Sequence, residues 1–564
     1  MKPIAAVVVL LSCAAVVHAQ GIDAATVAAY EKFNGEYGSF VKVDDDVVFQ
    51  PGRAKAQSGL PAFRFRTFPK SALPAVSVPF GLDLSGSNVS DADLKQVAGL
   101  TNLTNLNLAG ARISDAGLAS LAPLANVATL NLVGTGVTDA GIKDLAPLKN
   151  LSALSLPMGV TDAGFKDLTA LRSLKTLQLA FTQASDDGMA SIGALKGLTG
   201  LSLAGPRISD AGIKQLTQLK GLTSLSLRCP KITDAGMKSL RPLTGINSLD
   251  LSYTQVTGVG LKELSAYKNL TSLNLWFTQV NDAGLKEVAT HRELTTLKLY
   301  GPEITDKGMK QVAYLTHLTT LHLESTRVGD KGLRDLASLK KLAALHLNST
   351  SISDAGLTEL AVLPKLGTLA LHDTDITDKG MKNLSACKNL SSLYLNLTKV
   401  TDKGLRDVAS HKGLTLLDVT KTGVTDAGMR ELTPLAKLRT LNLQATRVGD
   451  AGLRTLTKLS GITMLGLGDT NVSDGGLAEL GAFKDLTWLD LGGCQITDAG
   501  VKHLAVLSTL TDLNLGATKV TDKGLLQLTP LHNLSSLGVD EARVTVEGAA
   551  DLRKAMPKCF VYGR

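Results

Sequence analysis

Leucine recurs along this chain with a period of 24 residues, and the polar positions between the leucines recur with it. The second leucine of an L-x-L pair falls at Leu84, Leu108, Leu132 and Leu156, resumes at Leu179, and then returns every 24 residues to Leu515, with Val419 and Val539 substituting. The one break in spacing is in LPMGVTDAG (156–164), which is a residue short, so the pattern gives twenty tandem copies with no inserted domain. In LTNLNLAGARISDAGLASLAPL (103–124), Thr104 to Leu108 alternates with a period of two and predicts a short strand with Leu106 and Leu108 inward. A turn follows, and Ile113 closes the core. Ser114 can cap a helix whose first turn holds Asp115, and Leu118 and Leu121 recur at helical spacing. A strand and a short helix therefore alternate in every copy. One copy has too few apolar positions to offset the entropy of ordering its backbone, so stability has to come from stacking copies on one another.

The phrase L-x-x-L-x-L followed by I/V-S/T-D-x-G-L resembles the leucine-rich repeat family, and the resemblance covers roughly residues 79–548. Within that family it is similar to the cysteine-containing, ribonuclease-inhibitor-like class found in bacterial proteins and in F-box substrate-recognition proteins. That class usually places Asn or Cys three residues after the second leucine. Here the position is mostly Thr, as at Thr135, Thr254, Thr326 and Thr374, with Pro at 206, 230 and 302. The resemblance implies an α/β solenoid, a horseshoe with a parallel sheet on its concave face and short helices on its convex face. Gly recurs nine positions after the second leucine, or eight in the shortened copy at Gly164, in every copy except the first, which has Asp93 there. That regularity reads as a packing requirement, because a missing side chain lets neighbouring helical segments approach closely.

The ends depart from the repeat. Lys2, an apolar run from Ile4 to Val17 and the small residues before Gln20 predict an export signal over 1–19. Leu10-Leu11-Ser12-Cys13 leaves open a lipid anchor through Cys13. Residues 20–78 read as an N-terminal cap with a helix from Ala24 to Phe33, and 549–564 as a C-terminal cap ending in an edge strand. No later stretch has the roughly 20 continuous apolar residues of a membrane-spanning helix. Cys229, Cys387, Cys494 and Cys559 lie more than two copies apart, too far along a stack with a spacing of about 4.8 Å per strand to form disulfides.

Composition adds little beyond this. With 44% apolar but only 4% aromatic residues, the chain suits a leucine-built array. The net charge of +8 is spread in step with Asp, which argues against a nucleic-acid partner. The sequence contains no H-E-x-x-H, G-x-x-x-x-G-K-[ST], G-x-S-x-G or C-x-x-C, and a uniform array offers acids and bases no sheltered pocket, so no enzymatic activity and no cofactor are expected.

Function is therefore expected on the strand face. Copies two to six and seventeen to twenty expose mostly small residues there, whereas copies eight to fifteen carry Tyr253, Trp276, Phe277, Tyr300, His322, Glu324, His346, Asn348, His372, Asp373, Tyr394, Asn396 and Asp418. Aromatics beside hydrogen-bonding groups suit the centre of a protein interface or a surface that stacks sugar rings. His322, His346 and Glu324 have a spacing that would admit zinc, but no metal-ligand signature accompanies them, and a polar contact surface explains the same residues. The expectation is a non-enzymatic scaffold binding a protein or glycan at or outside the cell envelope. The alternatives are the recognition subunit of a ubiquitin ligase, which would need a helical adaptor module ahead of the repeats, and an adhesin engaging host receptors.

Overall fold

The computed structural model describes residues 21–43, 46–52, 59–557 and 559–563. The expected export signal at 1–19, with Cys13, lies outside the described residues, as do Asp44 and Asp45. The chain divides into two compact units, 1–280 and 281–564.

The first unit opens with helix α1 (Ala24–Lys32), whose first turn is closed by Asp23 Oδ1 accepting the Thr26 amide at 2.8 Å. Three strands follow: β1 (Glu36–Val43), β2 (Asp46–Pro51) and β3 (Leu60–Arg64). β1 pairs antiparallel with both β2 and β3, and β3 lies parallel to β4 (Phe80–Asp83), the strand of the first copy. The sequence pattern marks only a helix here. The buried Phe63 ring stacks on Tyr30 at 4.0 Å and meets the buried Phe80 edge-on, so aromatic packing joins this segment to the first copy. From β4 onward each strand pairs in parallel with the next, through Ser248–Asp250 and Ser272–Asn274.

In the second unit parallel strands run from Thr296–Lys298 to Ser536–Gly538, and Phe560–Tyr562 pairs with the last of them. Pairing is in register with the repeat: Leu297 faces Leu321, Leu321 faces Leu345 and Leu345 faces Leu369. All four are fully buried. A 24-residue spacing with no slip stacks equivalent residues, so buried leucines form ladders on one face of each sheet and the intervening residues form rows on the other.

After each strand the chain turns away. The residue two after the second leucine commonly takes left-handed backbone, with φ of 62° at Tyr253, 53° at Phe277 and 53° at Asp373. Its amide donates to the next copy, as Ser325 N does to Asn348 O at 2.8 Å. One position later the threonine hydroxyl donates back to the leucine carbonyl, at 2.6 Å for Thr254 and 2.7 Å for Thr326. These threonines are buried, so the hydroxyl does the turn-holding work that Asn or Cys does elsewhere in the family.

The recurring Asp is more than helix-start chemistry. Its carboxylate reaches forward into the next copy: Asp378 Oδ1 accepts the Thr401 amide at 2.7 Å and Oδ2 accepts the Thr401 hydroxyl at 2.7 Å. The same pair of bonds joins Asp354 to Thr377 and Asp402 to Thr425. This accounts for the recurring glycine. A Cβ on Gly404 would lie 2.6 Å from Asp378 Oδ1, and one on Gly332 2.7 Å from Asp306 Oδ1. The first copy has no preceding Asp, and there Asp93 stands in place of glycine and accepts the Ser90 hydroxyl at 2.7 Å instead.

Cys229, Cys387 and Cys494 are free thiols in buried positions, Cys559 is buried as well, and burial pushes the Cys229 thiol up to about 12 and Cys387 up to about 11. No helix among the described residues is long and apolar enough to cross a membrane.

Candidate functional site

The residue between the paired leucines ends most of the strands, and in many copies it is Asn or Asp. Its side chain then accepts the amide two residues on, as Asn274 does from Trp276 at 3.1 Å and Asp418 from Thr420 at 2.9 Å. Asn131 and Asn514 do the same, so these small polar residues hold the strand end rather than stand idle. Asp418 was expected to face a ligand, and one of its oxygens is committed to this turn. A histidine in that position has no oxygen to accept the amide, so His322 and His346 are turned to other partners.

In the first unit, Tyr253 and Phe277 occupy equivalent left-handed positions on adjacent copies, and their rings stack at 4.7 Å with planes 14° apart. They remain 50% and 42% exposed, which makes them an apolar platform on the surface. Trp276 meets Phe277 at right angles with ring centres 6.4 Å apart and is half-buried, with its indole nitrogen inside.

In the second unit, His322 and His346 are paired residues on adjacent strands. Their rings stack at 4.1 Å and 6°, with Glu324 beside them. Glu324 Oε1 lies 2.9 Å from His322 Nδ1 and 3.9 Å from His346 Nδ1. All three are half-buried. Burial, and then the neighbouring His322, pull the His346 imidazole down to about 4, against the opposing pull of Glu324. Lys298 precedes His322 in the same row. Tyr300 is half-buried on the copy before.

One row along, Asn348 Oδ1 accepts the His372 amide at 3.0 Å and the Asn396 amide group donates to His372 Nδ1. Asp373, exposed, accepts the Ser349 hydroxyl at 3.0 Å. Tyr394 pairs in register with Asp418, and burial raises its hydroxyl above the usual range. Residues expected to present free hydrogen-bonding groups are thus already cross-linked copy to copy in a polar network.

Two histidines that the sequence reading did not single out lie in the core. His291 and His411 fall where other copies place Leu315, Leu435 or Leu459, and they are 8% and 1% exposed. Counting positions within the repeat would have found them, because that position is otherwise apolar.

Stacked strand–turn–helix copies with leucine ladders and an inter-copy carboxylate clasp define an α/β solenoid. The sequence-family comparison agrees: the model described as a leucine-rich repeat region matches 166–377 and 248–555, and a second, described as a leucine-rich repeat, matches 99–122. The chain belongs to the leucine-rich repeat proteins. No curated protein matches it at a significant level. Among solved structures it resembles TLR13 in its complex with ssRNA13, with 19% identity over 81% of this chain and 70% of that one and a TM-score of 0.50. It also resembles an internalin of Listeria monocytogenes, with 24% identity over 58% and 93% of the two chains and a TM-score of 0.46. A leucine-rich repeat protein of Leptospira interrogans matches at 20% identity over 75% and 97%, with a TM-score of 0.40. At these identities the likeness is one of fold.

Proposed function

We propose that this protein is a non-enzymatic scaffold that binds a protein or glycan partner through its strand face, at or outside the cell envelope. The observation carrying this reading is the stacked pair Tyr253 and Phe277. Two aromatic rings held about half exposed, on left-handed backbone that glycine adopts with less strain, are costly to maintain without a contact to make. Rigid aromatics of this kind lose little entropy on binding and serve as interface anchors or as platforms for sugar rings. The half-buried polar network from His322 to Asn396 adds hydrogen-bonding groups of fixed geometry on the second unit. The envelope location rests on the Lys2–Ala19 sequence alone. The ubiquitin-ligase alternative needs a helical adaptor module, whereas the described residues ahead of the repeats form one helix and three strands.

The test is capture of partners from envelope and glycan fractions with the full chain, followed by measured affinity for whatever is retained. Tyr253→Ala should weaken binding by about 2 kcal/mol, the range of an interface anchor. Val133→Ala, on the strand face of copy three, should change nothing. Equal losses from both variants would remove the aromatic platform from the account.

A further inference from the structure

Glu324 carries an unsatisfied carboxylate oxygen on the strand face. One carboxylate oxygen faces both histidines, while Oε2 is shut off from solvent with no hydrogen-bond partner among the described residues. A carboxylate half withdrawn from water needs compensating positive charge or donors, and a single imidazole N–H supplies only one. One ligand atom from each of His322, Glu324 and His346 lies within 4.8 Å of the other two.

We propose that His322, Glu324 and His346 bind one divalent transition-metal ion, zinc by ligand preference. The inference goes beyond the scaffold reading and does not depend on it, because the ion is bound by this chain alone. Two imidazoles and a carboxylate are a borderline-to-hard donor set that suits zinc and disfavours calcium or magnesium, which take oxygen ligands. Tetrahedral zinc with bonds of roughly 2.0 to 2.1 Å needs ligand atoms about 3.3 Å apart. The present separations of 2.9 and 3.9 Å from Glu324 Oε1 straddle that value. The rings now lie parallel, with Nδ1 of each toward Glu324 Oε1. Converging on one ion requires them to splay about χ2, a soft torsion for histidine. The ion would take the place of the His322–Glu324 hydrogen bond and neutralise the carboxylate. Lys298, next in the row, repels a cation here, and the Glu324 carboxylate opposes that repulsion. Three protein ligands leave the fourth position for water or for a donor from a partner.

The sequence alone argued against a metal because the ligands come from two copies and no local spacing signals them. The in-register stacking of His322 on His346 is what brings them together.

The experiment is titration of the full-length, tag-free, metal-stripped chain with Zn2+, and with Co2+ as a spectroscopic probe, in competition with a chromophoric chelator. One ion should bind per chain, with Co2+ bands of a low-coordinate nitrogen–oxygen site. Substituting even an outer-shell group typically costs 10–100-fold in affinity, so Glu324→Gln, His322→Asn and His346→Asn should each weaken binding by about tenfold or more. His317→Asn serves as a control, since His317 forms an exposed pair with Glu293 at 3.2 Å and should be dispensable. Glu324→Gln is nearly isosteric, and circular dichroism would confirm that the variants fold. Absence of saturable binding, or binding that survives in the His322→Asn/His346→Asn double variant, would overturn the site and leave Glu324 as a simple ion-pair partner.

Discussion

A single repeat position separates the histidines that belong to the fold from those on the strand face. His411 occupies a core position filled by Leu435 and Leu459 in the next two copies, and it is almost wholly buried. Burial depresses its imidazole below the ordinary value of 6.5, with Lys388 adding to the effect and a bond involving the Cys387 backbone opposing it. A histidine whose folded pKa lies below its unfolded one favours the folded state fully above the unfolded pKa. That contribution is lost as pH falls below 6.5 toward the folded value, because the unfolded chain takes up the proton first. His411→Leu, which restores the commoner residue, should therefore lose less stability than the parent between pH 7 and pH 5. Urea midpoints at the two pH values would check it, and identical losses would mean that His411 is not neutral in the fold. His291, at the equivalent site in an earlier copy, is 8% exposed.

At the scale of the element, the helix start is where neighbouring copies are joined. Asp378 accepts the Thr401 amide and hydroxyl and also the Gly404 amide at 3.0 Å, and Gly404 leaves room for it. Asp378→Ala should cost about 1 to 3 kcal/mol, since it leaves part-buried donors unpaired. Gly404→Ala should destabilise by pushing the carboxylate away. If the glycine exists to accommodate that carboxylate, the two substitutions should not add: in the Asp378→Ala background Gly404→Ala should cost less, with a coupling on the order of 0.5 to 3 kcal/mol by double-mutant cycle. Strict additivity would mean that the glycine answers to some other contact, such as Val400 Cγ1, 2.9 Å from the same Cβ position. The sequence pattern had flagged the glycine as a packing requirement without identifying what it packs against. The partner lies 26 residues back, outside the window in which helical or strand periodicity is read.

At the scale of the molecule, stability is a sum over copies, each unit holding its own stack of parallel strands. No covalent cross-link among the described residues contributes to it. Cys229, Cys387 and Cys494 are free, and burial pushes their thiols upward, which keeps them protonated and poorly nucleophilic. Thermal unfolding in the presence and absence of reductant should give the same midpoint within error. A reductant-dependent shift would reveal a disulfide and a different arrangement of these copies.

The repeat length, the strand-then-helix order, the inward leucines and the turn threonines were all legible from the chain, because each depends on residues a few positions apart whose periodicity is set by backbone geometry. Periodicity also marked Tyr253, Phe277, His322 and Glu324 as unlike their counterparts. It did not reveal that Tyr253 and Phe277 stack, that Trp276 tucks its indole nitrogen inside, that Asp418 serves a turn, or that Glu324 lies against two histidines with one oxygen unsatisfied. Those outcomes follow from zero-slip pairing between copies 24 residues apart, which sets each side chain against its equivalent on the next strand. Which contacts form is then decided by burial and hydrogen bonding across the stack, where the chain order carries no local signal.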